Sequence, residues 1–329
     1  MNSSRRPVVT VLVGNRPVEG LDRVAALADI RETDAAGLAS ALPGSDVLYL
    51  WDFFSGALPG AWHAADSLKW IHVAAAGVDK LLFPELVASD VEVTNASGVF
   101  DRTMAEYVLA ALLFSAKDMG VTRDHQAQRV WCRRTVRNIG GAGVLVVGTG
   151  SIGRSTARLL RAAGADVEGV GRVARAGDPD FGTVHASGDL AAVVGRFDYV
   201  VLVAPLTPST DGMVSARVLG AMKPSSVLIN VGRGRLVDED ALVRELMRGG
   251  IAGAVLDTFS AEPLPADSPL WGMQQVLISP HMASDAGSWL ADLAAQFERN
   301  FLAWHAGEPL TGVVDKDLGY VPFALGDPT

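Results

Sequence analysis

The chain has one cysteine among its 329 residues, Cys132. An internal disulfide is therefore ruled out, which fits a reducing compartment, and the cytoplasm is the expected location. Long apolar runs are also missing. The longest nearly apolar stretch, Tyr107 to Ala116, is about half of the roughly 20 residues that a membrane span requires. Near the start, Arg5 and Arg6 precede an apolar run as an export signal would, but Gly14, Asn15 and Arg16 cut it short, so a first strand is expected there. An excess of basic residues is absent too: 28 Lys and Arg stand against 37 Asp and Glu, a net charge of −9. A nucleic acid is thereby excluded as the main partner, because phosphate binding needs a basic face. The one basic cluster, Arg129, Arg133, Arg134 and Arg137, reads as a solvated linker or a subunit edge.

The composition, 49% hydrophobic and 20% charged, is that of a soluble globular chain. The length suits two domains, since single cores rarely grow beyond about 250–300 residues. The first hundred residues alternate β-rich and helical runs: "VVTVLVG", "GLDRVAALADI", "DVLYLWDFF", "LKWIHVAAAGV" and "VEVTNASG". That rhythm predicts a parallel sheet with crossover helices. Thr103 stands three residues before Glu106, a capping-box spacing that predicts the start of a linking helix. The alternation then resumes with "GVLVVG", "VEGVG", "FDYVVLVAP", "SVLINVG", "AGAVLD" and "QVLISPH", a second parallel sheet. From Trp289 the apolar residues Trp289, Leu293, Phe297 and Phe301 share one helix face. This closing helix has no strand partner of its own and is expected to pack back on the first domain. The expected division is 1–100 plus 287–329 for one domain and 101–286 for the other.

"VLVVGTGSIGR" sets Gly148, Gly150 and Gly153 in G-x-G-x-x-G register between a strand and a helix that opens at Ser151 and Ile152. In that setting the glycines serve a tight turn, approach to a pyrophosphate and close helix–strand packing, while the helix N-terminus faces the phosphates. The second domain is therefore expected to be a dinucleotide-binding Rossmann domain, and the first a flavodoxin-like substrate domain. An NAD-binding site would place an acid at the end of the next strand, on the ribose 2′-hydroxyl. Here that position is Gly171, followed by Arg172, with Arg175 beyond. An acid would repel a 2′-phosphate, whereas glycine leaves room and arginines can bond it. Each such bond is worth about 1.5–3 kcal/mol, and about 1.4 kcal/mol is tenfold in affinity. NADPH is thus the preferred cofactor, with NADH possible. The competing reading pairs Arg175 with Asp178 or Asp180.

Three further motifs close later strands, where ligands bind in open α/β sheets. "INVGRGRLVDEDAL" carries Arg233, whose fork can take a carboxylate, with Arg235 as rival; "LDTFSAEPLPADSPLW" carries Glu262; "VLISPHMASDAGSW" carries His281. Hydride transfer to a keto carbon leaves an oxygen that needs a proton, which histidine can give near neutrality if a carboxylate orients its ring. No metal is expected.

The chain resembles the D-isomer-specific 2-hydroxyacid dehydrogenases from about Trp70 to His305, through "AAAGVDKL", "TNASG" with "AEYVLA", "VVGTGSIGR", "APLTPST", "INVGRGRLVDEDAL", "LDTFSAEP" and "SPHMA" in the family's order. In motif it is closest to the NADP-using glyoxylate and hydroxypyruvate reductases. The resemblance implies that Arg233 binds the substrate carboxylate, Glu262 orients and His281 is the acid–base residue. It also implies that the backbone at Ala76 and Gly77 holds the carboxylate, that Asp257 contacts the nicotinamide amide, and that Pro205 and Thr207 line the cofactor cleft. Homodimers are common in the family, and a small 2-keto acid is the implied substrate. Phe53 or Phe54 in "WDFFSG" would favour larger 2-keto acids if it lined the substrate pocket, but core packing is the expected role. Two other readings compete: a nicotinamide-sensing binding protein like the family's corepressors, and formate or phosphite oxidation on the same scaffold. The Gln that formate enzymes carry where Glu262 stands argues against formate.

Overall fold

The computed structural model describes residues 5–16, 18 and 20–322. The chain divides into two compact units, 1–100 with 286–329 and 101–285.

The first unit holds five parallel strands, β1 (Val8–Leu12), β2 (Asp29–Thr33), β3 (Val47–Leu50), β4 (Trp70–Val73) and β5 (Glu92–Asn95), in the order β2-β1-β3-β4-β5. This is the flavodoxin-like order, with its topological switch between β1 and β3. β1, β3 and β4 are buried along their whole length, which is why they read as continuous apolar runs. β2, with the sequence Asp-Ile-Arg-Glu-Thr, lies at the edge and stays largely exposed. It carries no apolar signal, and its place is set by main-chain pairing to β1.

The helix Trp289–Ala306 buries Leu293, Phe297 and Phe301 and ends on Gly307 in the left-handed region, φ 73°. The Phe297 ring stacks on Tyr49, with centroids 3.9 Å apart and planes 6° apart, and lies 5.5 Å from Trp70. His72 sits among the same rings, fully buried, with its Nδ1 2.7 Å from Thr94 Oγ1. Burial pushes its pKa down to about 3, so this histidine is a neutral core residue.

The second unit holds β6 (Gly143–Val147), β7 (Asp166–Gly171), β8 (Arg175–Asp178), β9 (Gly182–Ala186), β10 (Tyr199–Leu202), β11 (Val227–Asn230), β12 (Gly253–Leu256) and β13 (Val276–Ile278), ordered β13-β12-β11-β10-β6-β7-β9-β8. Outward from β6, the sequence β9-β7-β6-β10-β11-β12 reproduces the Rossmann order, with the switch between β6 and β10. The sheet is not wholly parallel, because β8 runs antiparallel to β9 at the edge.

The linking helix runs from Asp101 to Ala116, so Thr103 lies inside its first turn and does not cap it. Glu106 instead accepts from Arg102, one turn back, at 2.5 Å. The acid that favours the positive end of this helix is Asp101. Among the described residues, no helix is long and apolar enough to cross a membrane.

Candidate active site

β6 enters the glycine turn directly. Gly148 has φ +115°, and a Cβ there would lie 2.7 Å from the Ala204 nitrogen; a Cβ on Gly153 would lie 2.0 Å from the Gly148 carbonyl oxygen. Only glycine lets the turn close against the loop after β10 and the helix Ser151–Ala162 approach β6. A Cβ on Gly150 would meet nothing within 4 Å, so the backbone there faces open space. The first-turn N–H groups at Ser151, Ile152 and Gly153 lack intrahelical acceptors and sit at the positive end of the dipole. This cradle suits a dinucleotide pyrophosphate. In the loop after β10, Pro205 O accepts from Thr210 Oγ1 at 2.7 Å, and Thr210 Oγ1 accepts from Thr207 N at 2.8 Å. Pro205 and Thr207 are thus held in one ordered turn beside Ala204.

β7 ends at Gly171. Arg172, next in line, is exposed and makes no hydrogen bond or ion pair with a described residue. Arg175 lies on β8, and its Nε donates to Asp178 Oδ2 at 2.8 Å. The pairing with Asp178 is therefore present, but it uses Nε alone and leaves the terminal nitrogens without a bond to a described residue. Asp178 has no exposed side-chain surface and also takes both terminal nitrogens of Arg154, at 3.0 and 2.9 Å. Arg154, itself 1% exposed, reaches Asp180 at 2.7 Å as well. Burial works to raise the Asp178 pKa, yet hydrogen bonds from Arg154, Arg175 and the Asp180 and Phe181 N–H groups outweigh it and hold the carboxyl well below the usual range. The cluster ties the first turn of the glycine-loop helix to the β8–β9 hairpin.

Arg233, Glu262 and His281 follow β11, β12 and β13, which are neighbours in the sheet. His281 Nδ1 lies 2.8 Å from Glu262 Oε2, and the two side chains are 32% and 34% exposed. Glu262 Oε1 accepts from the Phe259 N–H at 3.0 Å. Burial alone would raise the Glu262 pKa, but the bonds from His281 and Phe259, with the charges of His281 and Arg233, bring it below the ordinary value. Glu262 is therefore an anion, and the Nδ1–H of His281 donates to it, leaving Nε2 as the nitrogen that can exchange a proton. Arg235, the rival of Arg233, is committed to Asp211 through two nitrogens.

His281 adopts φ 52°, a conformation uncommon for a side chain of its size. Asp257 holds it there: the Asp257 carbonyl accepts from His281 N at 2.8 Å, while its carboxylate takes Ser279 Oγ at 2.6 Å, Met282 N at 3.0 Å and Ala283 N at 2.9 Å. Tyr107 bonds Ser279 and extends the chain of contacts. Asp257 is 1% exposed, and every bond its side chain makes orders the turn that presents His281.

In the first unit, Ala76 and Gly77 form the turn after β4. The Ala76 carbonyl accepts from Asn95 Nδ2 at 2.5 Å, and the N–H groups of Ala76, Gly77 and Val78 donate to no described residue. Adjacent unused N–H groups make an anion-binding concavity. Phe53 packs against the core as expected, but Phe54 does not: it is 58% exposed, with the Lys80 ammonium 5.9 Å from its ring centre.

The sequence motifs lead to the three candidate catalytic side chains, and to Asp178 as a partner for Arg175, but not to Arg154, Ser279 or Tyr107. Arg154 directly follows the last glycine of the motif and "RAGDPDFG" holds its acids, so an Arg at that place facing paired Asp residues is a readable signal. Ser279 and Tyr107 leave none.

The sequence profile of the D-isomer specific 2-hydroxyacid dehydrogenase NAD binding domain matches residues 109–283. A glyoxylate reductase of Korarchaeum cryptofilum is 29% identical over 78% of this chain and 79% of its own. A D-isomer specific 2-hydroxyacid dehydrogenase of Xanthobacter autotrophicus, solved with NADPH and MES, is 31% identical, with TM-score 0.82 over 96% of this chain and all (100%) of that one. An NADPH-dependent glyoxylate/hydroxypyruvate reductase of Sinorhizobium meliloti, solved with NADP and sulfate, is 28% identical, with TM-score 0.83 over 95% of this chain and 100% of that one. With the profile covering more than half of the sequence, the chain belongs to the D-isomer specific 2-hydroxyacid dehydrogenases, oxidoreductases that act on the CH–OH group with a nicotinamide cofactor.

Proposed function

We propose that this enzyme reduces a small 2-keto acid of the glyoxylate or hydroxypyruvate type to the D-2-hydroxy acid, with NADPH preferred over NADH. The observation that carries the reading is the His281–Glu262 pair at 2.8 Å, with the Arg233 charge acting on Glu262. Arg233 takes the substrate carboxylate bidentately. Within the first unit, the unused N–H groups of Ala76 and Gly77 suit an anion. NADPH, when bound, supplies the hydride. As the keto oxygen gains the bonding electron pair, it takes the proton from His281 Nε2, and Glu262 stabilises the imidazolium beforehand. Gly148, Gly150, Ser151, Ile152 and Gly153 hold the pyrophosphate, Pro205 and Thr207 line the cofactor cleft, and Asp257 adds a contact to the nicotinamide amide. Arg172 and the terminal nitrogens of Arg175 bind the 2′-phosphate that Gly171 leaves room for.

The enzyme works as a homodimer in this reading. Trp131 is 97% exposed, with Val130 at 47% and Val136 at 42% on the same irregular segment, and exposed apolar side chains suit cover by a second copy of the chain.

The test is the initial rate of reduced-nicotinamide consumption, with NADPH and with NADH, against glyoxylate, hydroxypyruvate, pyruvate, phenylpyruvate and a branched 2-keto acid. Turnover on the small acids with NADPH ahead is the expected result. Equal kcat/KM with NADH would remove the cofactor preference. No turnover with either, despite cofactor binding, would replace the enzyme by a binding protein, and a parallel assay of phosphite oxidation covers the remaining reading.

A further inference from the structure

We infer that Tyr107 and Ser279 are positioning residues for proton transfer: their two hydroxyls, bonded in series, fix the Asp257 carboxylate that holds His281 in its uncommon backbone conformation. The inference rests on His281 being the proton donor of the reading above, and it adds two residues that act on that donor through Asp257.

The Asp257 carboxylate brackets His281 in sequence. It takes Ser279 Oγ from two residues before the histidine, and the N–H groups of Met282 and Ala283 from one and two residues after it. Between those anchors His281 sits at φ 52°, a conformation that persists only where its surroundings over-determine it. Of the three donors Ser279 alone is a side chain, with three staggered positions open to its hydroxyl, so it is the one that needs a further partner to fix its direction.

The direction of the bonds follows from the groups themselves. A carboxylate only accepts, so Ser279 gives its one proton to Asp257 Oδ1, at 2.6 Å, and keeps lone pairs alone for any other bond. The Tyr107 hydroxyl, which bonds the same Oγ, is therefore the donor. Burial raises the Tyr107 pKa above its ordinary value and the Asp257 charge adds to this, while the bond to Ser279 opposes it; the phenol keeps its proton. Tyr107 comes from the 16-residue helix Asp101–Ala116, a rigid support, whereas residues 279–285, which carry His281, form no regular helix or strand. The hydroxyl chain thus ties an irregular turn to a rigid element. A proton donor displaced by 1 Å can lose about 10² in rate, and the substrate keeps its own binding groups.

The experiment measures kcat and the KM for glyoxylate, with NADPH saturating, in the wild type, Tyr107→Phe, Ser279→Ala, Ser279→Thr and the double variant of Tyr107→Phe with Ser279→Ala. We expect kcat to fall about tenfold in Ser279→Ala and about threefold or more in Tyr107→Phe, with KM within about twofold of the wild type. The double variant should fall no further than Ser279→Ala, because Tyr107 acts through that hydroxyl alone, and Ser279→Thr, which keeps the hydroxyl, should stay close to the wild type. An unchanged kcat in Tyr107→Phe, losses that multiply in the double variant, or a rise in KM matching the fall in kcat would overturn the inference. Tyr107→Phe removes a single oxygen, so it decides the matter even where Ser279→Ala does not fold. Near-normal rates in His281→Ala, or no turnover in the wild type, would remove the reading of the site itself, whereas normal rates in Tyr107→Phe leave that reading standing.

Discussion

His281 is held from both sides: its ring by Glu262 and its backbone by Asp257. His281→Ala should cost about 10²–10⁴ in kcat, the usual worth of a positioned acid–base group, while Arg233→Ala should also raise the KM for the keto acid; near-normal steady-state rates in either would remove the assignment. Glu262→Gln removes the anion that accepts from the His281 ring, so kcat should fall about tenfold or more with the KM for the keto acid little changed; an unchanged kcat would show that the pairing does not orient the proton donor. His72 bears on stability instead. Its pKa falls from 6.5 to about 3 on folding, so below pH 6.5 the unfolded chain binds a proton that the folded one refuses. Its contribution to stability is complete above that pH and is lost as the pH falls toward 3, at about 1.4 kcal/mol per pH unit. Denaturant titrations of the wild type and His72→Leu between pH 4 and 7 should show the wild type steeper, and equal slopes would refute this. The candidate catalytic side chains can be found in the sequence because each stands in a motif with a fixed place after a strand. Ser279 and Tyr107 cannot, because their bonds join residues far apart in the chain.

Among the strands, those covered on both faces, such as β3 and β11, announce themselves as apolar runs. The edge strands β2 and β8 carry mostly polar residues, and nothing in their periodicity separates them from loops. What fixes β8 is charge: Asp178, at its end, gathers Arg154 from the glycine-loop helix and Arg175 from its own strand. Removing Asp178 takes away the carboxylate that holds both terminal nitrogens of the buried Arg154 guanidinium. Asp178→Ala should therefore lower the unfolding free energy by about 3–5 kcal/mol, measured by denaturant melts, and weaken NADPH more than NADH as the Arg175 strand loosens. A change within about 0.5 kcal/mol would show that the cluster is not structural. The capping-box spacing at Thr103 misled for a related reason, since Asp101 lies two residues earlier and joins the helix.

For the molecule as a whole, the sequence rhythm suffices for two wound sheets, but strand order and the discontinuous first unit depend on contacts far apart in the chain. The surface that would pair two copies is marked by Trp131. Sedimentation velocity at micromolar concentration should give a dimer for the wild type and a monomer for Trp131→Glu; a dimer in both would place the interface elsewhere. The stacking of Phe297 on Tyr49 also bears on how the protein is made. The second unit, continuous from 101 to 285, can close on the ribosome while synthesis continues. The first unit must wait with its aromatic face open until the helix Trp289–Ala306 emerges. The earlier-made strands are thus the later to mature, and for that interval their apolar faces stay open to aggregation.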